Sequence, residues 1–306
     1  MLGSILNADL SLSEKGKIDL SFSAKNLDLS KLENVGNQLP ETRGIIEELE
    51  GDVSGDLQNL LGKIYARSGS ISIMDQEITN TELDIEFEGK TVSINSDLHW
   101  KGEPFSTRGT VMLGDEPSLD LLTSVRNFDI ANIGPFLAAE TAAQIPTGKF
   151  DMTARIAGSV KDPSVQLNIS SPSLVLNGEK ITNIKADLHY QKPDMNIKEL
   201  SCLVPEGRLS GSGTVALDKS SRTDIKITTS TGDISKTLRL VPSPPKGISG
   251  SAEAVISVKG KIDDPNISGS FKTGDFRFQS LFQAENIDGN FSFRDNRLVL
   301  DINSPV

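Results

Sequence analysis

The chain has few of the residues that cross-link or thicken a compact fold. It has one cysteine, Cys202, so no disulfide can form within the chain and no cysteine-based metal knuckle is possible. Aromatic residues make up 5% of its 306 residues and hydrophobic residues 36%, which is little for a core packed from several layers. No stretch approaches the ~20 apolar residues of a membrane helix. These shortages favour a thin, sheet-dominated body.

Positive charge is also scarce. The formal net charge is -11, and the 31 lysines and arginines are scattered singly without forming a basic stripe. We therefore expect no nucleic-acid partner, because attraction to a phosphate backbone needs a cluster of positive charge. A basic patch for lipid head groups is absent as well, so any contact with lipid would be made by an apolar surface.

Alternation of apolar and polar residues is abundant. It runs through residues 82–87, 92–100 and 184–190, among others. A period of two predicts strands with one apolar and one polar face. Asn177-Gly178 and Asp288-Gly289 are typical of hairpin turns, so we predict short antiparallel hairpins in a meander.

The sequence repeats itself about every hundred residues. Landmarks that share this offset are 158–163 with 260–265, 78–80 with 181–183, 109–111 with 213–215, and 28–31 with 129–132 and 233–236. Such periodicity predicts a repeat array and argues against a compact enzyme domain. We expect one continuous array, cut at both ends from a longer protein. It would consist of a partial repeat at 1–69, full repeats at 70–172 and 173–272, and a partial repeat at 273–306.

Each repeat interrupts its strands once. At 29–39, 130–143 and 234–241 the apolar residues shift to helical spacing. Asp28, Asp129 and Asp233 precede these segments and are suitable helix caps. We therefore predict one short helix per repeat of about a hundred residues.

The apolar face of such a sheet must be covered, because apolar surface left in water forgoes roughly 25 cal/mol for every Å² that could be buried. One short helix per repeat is too little cover. The sheet can curl over its own apolar face, stack on a second sheet, or bind an apolar ligand.

The order of these motifs resembles the AsmA-like superfamily, and most closely its TamB group. The resemblance covers essentially the whole chain. It rests on Gly-x-x-x-Asp-Pro ahead of an alternating strand (158–169 and 260–271), on Ile-x-Asn ahead of another (181–190), on the glycine- and serine-rich run 207–215, and on the run 128–137.

The resemblance implies an elongated repetitive antiparallel sheet, curled into a U-shaped, taco-like hydrophobic trough. It also implies a periplasmic protein of a diderm bacterium that conducts phospholipids between the inner and outer membranes along an apolar groove. Such proteins are anchored by an N-terminal inner-membrane helix and pair with an outer-membrane barrel of the TamA/BamA type through a C-terminal region. Both of these parts would lie outside the present sequence.

The apolar side chains on the inward face are the candidates for contact with acyl chains, although they could also pack only against one another as a core. They are Ile71, Ile73, Leu83, Ile85, Phe87, Val92, Ile94 and Leu98 in one repeat, and Leu174, Leu176, Ile184, Leu188, Tyr190, Val215 and Leu217 in the next. His99 and His189 fall on the opposite face, where we expect them to point to solvent, so they indicate no catalytic or metal site. We expect no enzymatic activity and no cofactor.

Two other functions compete with lipid conduction. A factor that assembles or translocates outer-membrane β-barrel proteins or autotransporters by templating their strands would need an accessible sheet edge. A polysaccharide-degrading β-helix would need carboxylates stacked across successive coils. The acids of this chain fall in turns or on the outer faces of different strands, which argues against the enzyme.

Overall fold

The alternating segments form strands over almost all of the chain. The computed structural model describes residues 5–12, 17–32, 42–56, 59–73, 75–136, 145–218, 220–240, 246–262, 264–279, 281–294 and 297–303. The strands are β1 (Ile5–Leu12), β2 (Ile18–Asp28), β3 (Thr42–Asp56), β4 (Asn59–Ile73), β5 (Gln76–Gly89), β6 (Thr91–Trp100), β7 (Glu103–Met112), β8 (Ser118–Asp129), β9 (Thr147–Ser159), β10 (Asp162–Leu176), β11 (Glu179–Gln191), β12 (Asp194–Val204), β13 (Gly207–Ala216), β14 (Arg222–Thr231), β15 (Ile248–Lys261), β16 (Asp264–Phe278), β17 (Phe282–Ala284), β18 (Ile287–Arg294) and β19 (Arg297–Asn303). They belong to one large antiparallel sheet, which confirms the predicted all-β class.

Hairpins join the strands, as the turn residues predict, but one predicted turn is wrong. Asn177 and Gly178 have φ values of 51° and 82° and close the hairpin between β10 and β11. Asp288 and Gly289 instead lie inside β18. Gly289 pairs there with Phe271 of β16, and a Cβ on this glycine would lie 3.1 Å from the phenylalanine ring. That Cβ would also overlap the backbone carbonyl of Asp301 on β19, so the glycine allows a close approach of the strands on both sides.

The sheet comprises two compact units, which are described separately. The first contains Met1–Phe128 and Thr153–Pro163, and the second contains Asp129–Met152 and Ser164–Val306. In the first unit, β1 to β8 pair in chain order. In the second, β10 to β16 pair in chain order, β16 then pairs with β18, and β18 pairs with β19. The division of the chain into hundred-residue repeats stays a prediction.

A bulge stands at the repeated Ile-Thr-Asn landmark. Asn80 in β5 and Asn183 in β11 have left-handed φ values of 49° and 52°, and the register with the following strand shifts at both places. Because a bulge adds one residue, it changes the face on which the next side chain lies. In β5 the bulge sets Ile78 opposite Trp100 of β6. Trp100 lies on the same face of β6 as Ile94. The landmark therefore keeps both halves of the bulged strand apolar on one face.

A short helical segment follows each predicted capping aspartate. Two 3-10 helices cover Leu29–Leu32 and Ile130–Phe136, and helix α1 covers Ile234–Leu238. The Oδ1 atoms of Asp28, Asp129 and Asp233 accept the backbone N–H two residues later, at 3.1, 3.0 and 2.9 Å. The predicted helix starts are therefore correct. The third helix is shorter than predicted, because residues 239–240 form a turn. The other remaining parts of the predicted segments, at 33–39, 137–143 and 241, lie outside the described residues.

The core is sparse. Among the described residues Val125 is the largest side chain that is fully buried. The most concentrated packing is aromatic: Trp100 stacks on Phe128 with centroids 5.4 Å apart, and Phe105 meets Phe128 edge-on at 5.5 Å. The protein exposes 19718 Å², whereas a globular protein of 32.9 kDa would expose about 12,500 Å². Much of the described sheet therefore has no second layer over it.

Candidate functional site: the apolar face of the sheet

Rows of apolar residues cross the first unit at right angles to its strands. Residues paired directly in an antiparallel ladder lie side by side on one face, so a series of pairs defines a row. One row runs from β2 to β8 through Phe22, Gly51, Ile64, Ile85, Ile94, Gly109 and Leu121. A parallel row runs through Leu20, Val53, Gly62, Phe87, Val92, Val111 and Leu119. Each row contains only apolar residues and glycine.

The second unit has a row of the same kind. It runs across β10 to β16 and β18 through Leu167, Leu188, Ile197, Gly213, Ile225, Val258, Ile267 and Phe293. With strands about 4.8 Å apart, each row is on the order of 30 Å long. One leaflet of a bilayer core is about 15 Å thick, so a row is long enough to hold a whole acyl chain. We call the side of each unit that carries these rows the apolar face, and the other side the polar face.

The apolar face is half-buried, whereas the polar face is exposed. In β5 the alternation is regular: Leu83, Ile85 and Phe87 are half-buried, and the acidic residues between them are exposed. Even small polar residues such as Ser93 and Ser170 are exposed on the polar face, so the difference does not come from side-chain length alone. Partial burial without a covering layer is the condition in which an apolar surface still gains from binding a ligand.

Fourteen of the fifteen candidate residues lie on the apolar face of β4, β5, β6, β10, β11 and β13, half-buried or buried. Val92 is the most buried of them at 8% exposure. Leu217 differs: it follows the end of β13, its backbone N–H donates to the Pro193 carbonyl at 2.8 Å, and it is 56% exposed. The contact of this set with acyl chains stays a prediction.

Glycines on the apolar face belong to the candidate site, although a residue-by-residue reading of hydrophobicity misses them. A Cβ on Gly269 would lie 2.8 Å from the ring of Phe291 on the paired strand. The ring of Phe291 therefore takes the space that a side chain at Gly269 would need, as in aromatic rescue of strand glycines, and the Val255 carbonyl oxygen approaches the glycine as well. A signal was present in the sequence, because phenylalanine and glycine alternate in 269–271 and 289–293.

The cysteine and the two histidines each lie in a strand of the sheet. Burial raises the pKa of the Cys202 thiol, which pairs with Leu209 on the apolar face. His99 and His189 are half-buried on the polar face rather than open to solvent, and they lie within hydrogen-bond distance of Asn80 (3.2 Å) and Ser164 (2.9 Å) respectively. No group of three or more His, Cys, Asp or Glu side chains could hold a metal ion within the described ranges.

The polar face carries exposed ion pairs. Arg155 donates two hydrogen bonds to Asp120, at 2.9 and 2.8 Å, and this contact lowers the pKa of Asp120. Arg108 pairs with Asp97 at 2.8 Å. Such pairs contribute little to stability because water screens them. None of the helices in the described part of the chain is long and apolar enough to cross a membrane.

Comparison with known proteins adds no relative. No family model, no curated protein and no solved structure matches this chain.

Proposed function

We propose that this protein binds the acyl chains of phospholipids on its apolar face and lets them move from strand to strand. The proposal rests on the rows of apolar residues described above. Each row crosses seven or eight paired strands of one unit and contains no charged side chain. A uniform lining offers a chain many sites of similar affinity, so movement along it needs no large step. Polar head groups would stay in water at the strand ends, because burying them without partners is costly.

The setting of this activity follows from the resemblance to the AsmA-like superfamily. The protein would lie in the periplasm of a diderm bacterium, as part of an inner-membrane-anchored bridge to the outer membrane. Its partners would be phospholipid and an outer-membrane barrel of the TamA/BamA type. The net charge of -11 agrees with a lipid contact made through apolar surface and not through attraction to anionic head groups.

Photocrosslinking can compare the two faces residue by residue. A photoreactive amino acid at Ile85 or Leu188 should give phospholipid adducts in cells, because both positions lie on the apolar face. The matched controls are Glu86 and Lys185, which are exposed on the polar face of the same two strands and should give none.

Two results would contradict the proposal. Equal lipid adducts from both faces would mean that lipid contact is not selective. Adducts with outer-membrane β-barrel precursors alone would favour the strand-templating function, in which the sheet guides another polypeptide.

A further inference from the structure

The polar face of the second unit carries two adjoining depressions. Their volumes are about 320 and 540 Å³, and Val255, Ser270 and Asn290 line both. They lie over β13 to β16 and β18, lined mainly by side chains that face away from the apolar row. We call the two depressions together the polar groove.

Two rows of paired residues form the floor of the 320 Å³ depression of the polar groove. One row is Arg208, Ser230, Glu253, Lys272 and Asp288, and the other is Ser210, Thr228, Val255, Ser270 and Asn290. Each row crosses five strands, so the floor is about 20 Å long.

The charges in the first row alternate in sign. Arg208 and Lys272 are positive, Glu253 and Asp288 are negative, and the formal sum is therefore zero. None of the four makes an ion pair in the part of the chain that the structure describes. Their hydrogen-bonding capacity is open to a ligand.

The second row is neutral and rich in hydroxyl groups. Ser210, Thr228 and Ser270 each offer one O–H donor and two acceptor sites, and the Asn290 amide offers both donors and acceptors. Val255 is 37% exposed in the middle of the row and supplies a small apolar platform. The backbone N–H and C=O groups beneath are engaged in the ladders between strands.

These features exclude several ligand classes. A polyanion such as nucleic acid would meet three acidic groups among the four basic ones that line the groove, and one of the basic groups, Lys259, is already paired with Asp224. A lipid chain would find one apolar side chain, Val255, in the two rows of the floor. An extended peptide would find no free backbone edge to pair with. A neutral polyhydroxylated chain fits best, because each of its hydroxyls can both donate and accept, and because carboxylates accept hydrogen bonds from neighbouring hydroxyl groups.

We infer that the polar groove binds a segment of a neutral glycan, on the face opposite to the one proposed for lipid. The test uses the whole chain with maltotetraose, cellotetraose and chitotetraose as probes, read out by saturation-transfer NMR. We expect at least one of the three to bind, and S270V and N290L each to weaken it by about threefold or more, as the loss of one hydrogen bond predicts. S93V and N95L make the same changes on the exposed polar face of β6 and should leave binding unchanged.

The inference fails if none of the three oligosaccharides shows saturation transfer, or if the control variants weaken binding as much as the groove variants. It also fails if heparin displaces the bound oligosaccharide at low salt, since that would mean a site for anions. Lipid crosslinking from Ile85 is independent of all these outcomes, so the two proposals can fail separately.

Discussion

At the scale of single residues, two glycines of β13 show how little room the sheet leaves between some strands. Gly213 has a φ of 151°, and a Cβ on it would overlap the backbone carbonyl of Asp224 on β14. A Cβ on Gly211, two residues earlier, would meet its nearest atom, the Lys226 carbonyl oxygen, at an ordinary 3.5 Å. We therefore expect Gly213→Ala to lower the free energy of unfolding by about 1–3 kcal/mol.

Gly211→Ala is the matched control. This substitution should change the free energy of unfolding by less than about 1 kcal/mol, because it adds one methyl group without forcing the backbone to move. Urea denaturation measures the free energy of unfolding of both variants. Equal effects of the two substitutions would mean that the close approach to Asp224 does not hold in solution.

The cap of helix α1 makes stability depend on pH. The side-chain hydroxyl and backbone N–H of Ser235 donate to Asp233 and lower the pKa of this carboxylate. A lowered folded-state pKa stabilises the fold above the unfolded pKa of about 3.9, and this stabilisation is lost as the pH falls through the folded value. Asp233→Ala should therefore lower the urea midpoint at pH 7 by more than at pH 2.

Asp84→Ala removes an exposed carboxylate from the polar face of β5 and serves as the control for this comparison. Its effect on the urea midpoint should be small at both pH values. If Asp233→Ala lowered the urea midpoint equally at pH 7 and pH 2, the contribution of the capping hydrogen bonds to stability would not depend on the charge of Asp233.

At the scale of elements, the bulge at Asn183 decides which side chains reach the apolar face. Its left-handed φ of 52° costs a β-branched residue about 1–2 kcal/mol, whereas glycine adopts it freely. We expect Asn183→Val to destabilise the protein by about that amount and Asn183→Gly to change it little. Chemical denaturation measures the first effect, and a loss of equal size in both variants would show that the asparagine side chain matters more than the backbone angle.

The elements also show what local sequence can predict. Alternation identified the strands and the apolar face, and an aspartate ahead of helical spacing identified the short helices, because both signals are local. The turn predicted at Asp288-Gly289 is wrong because this pair lies between β16 and β19, and local sequence does not show which strands pair on either side. The buried hydroxyls of Ser68 and Ser171, which donate to the carbonyls of Ile45 and Lys149 at 2.6 Å, were missed for the same reason.

At the scale of the whole molecule, the balance between buried and exposed surface matters most. A chain that leaves this much apolar surface half-exposed has a smaller reserve of hydrophobic stabilisation than a globule of equal length. A ligand that binds the folded sheet and not the unfolded chain raises the free energy of unfolding by RT ln(1 + [L]/Kd). This increase is about 2.7 kcal/mol when the ligand concentration is a hundredfold above Kd. Phospholipid should therefore raise the melting temperature of the protein. A saturating concentration of a neutral oligosaccharide should raise it too, and the two increases should add when both ligands are present.

Trp100 offers a direct reading of lipid on the apolar face, because it is the only tryptophan in the chain. It lies half-buried on that face, opposite Ile78, and stacks against Phe128.

Phospholipids with brominated acyl chains should quench the fluorescence of Trp100, since quenching by bromine requires near contact. Phospholipids brominated only in the head group should not quench it. Ile94→Glu places a charge on the apolar face of the same strand, six residues or about 20 Å from Trp100, and should reduce the quenching severalfold, because a charge on this face would be costly next to an acyl chain. Ser93→Glu places the same charge on the polar face and should leave the quenching intact. Quenching by the head-group probe, or equal loss in both variants, would mean that lipid meets the protein by some route other than the rows of the apolar face.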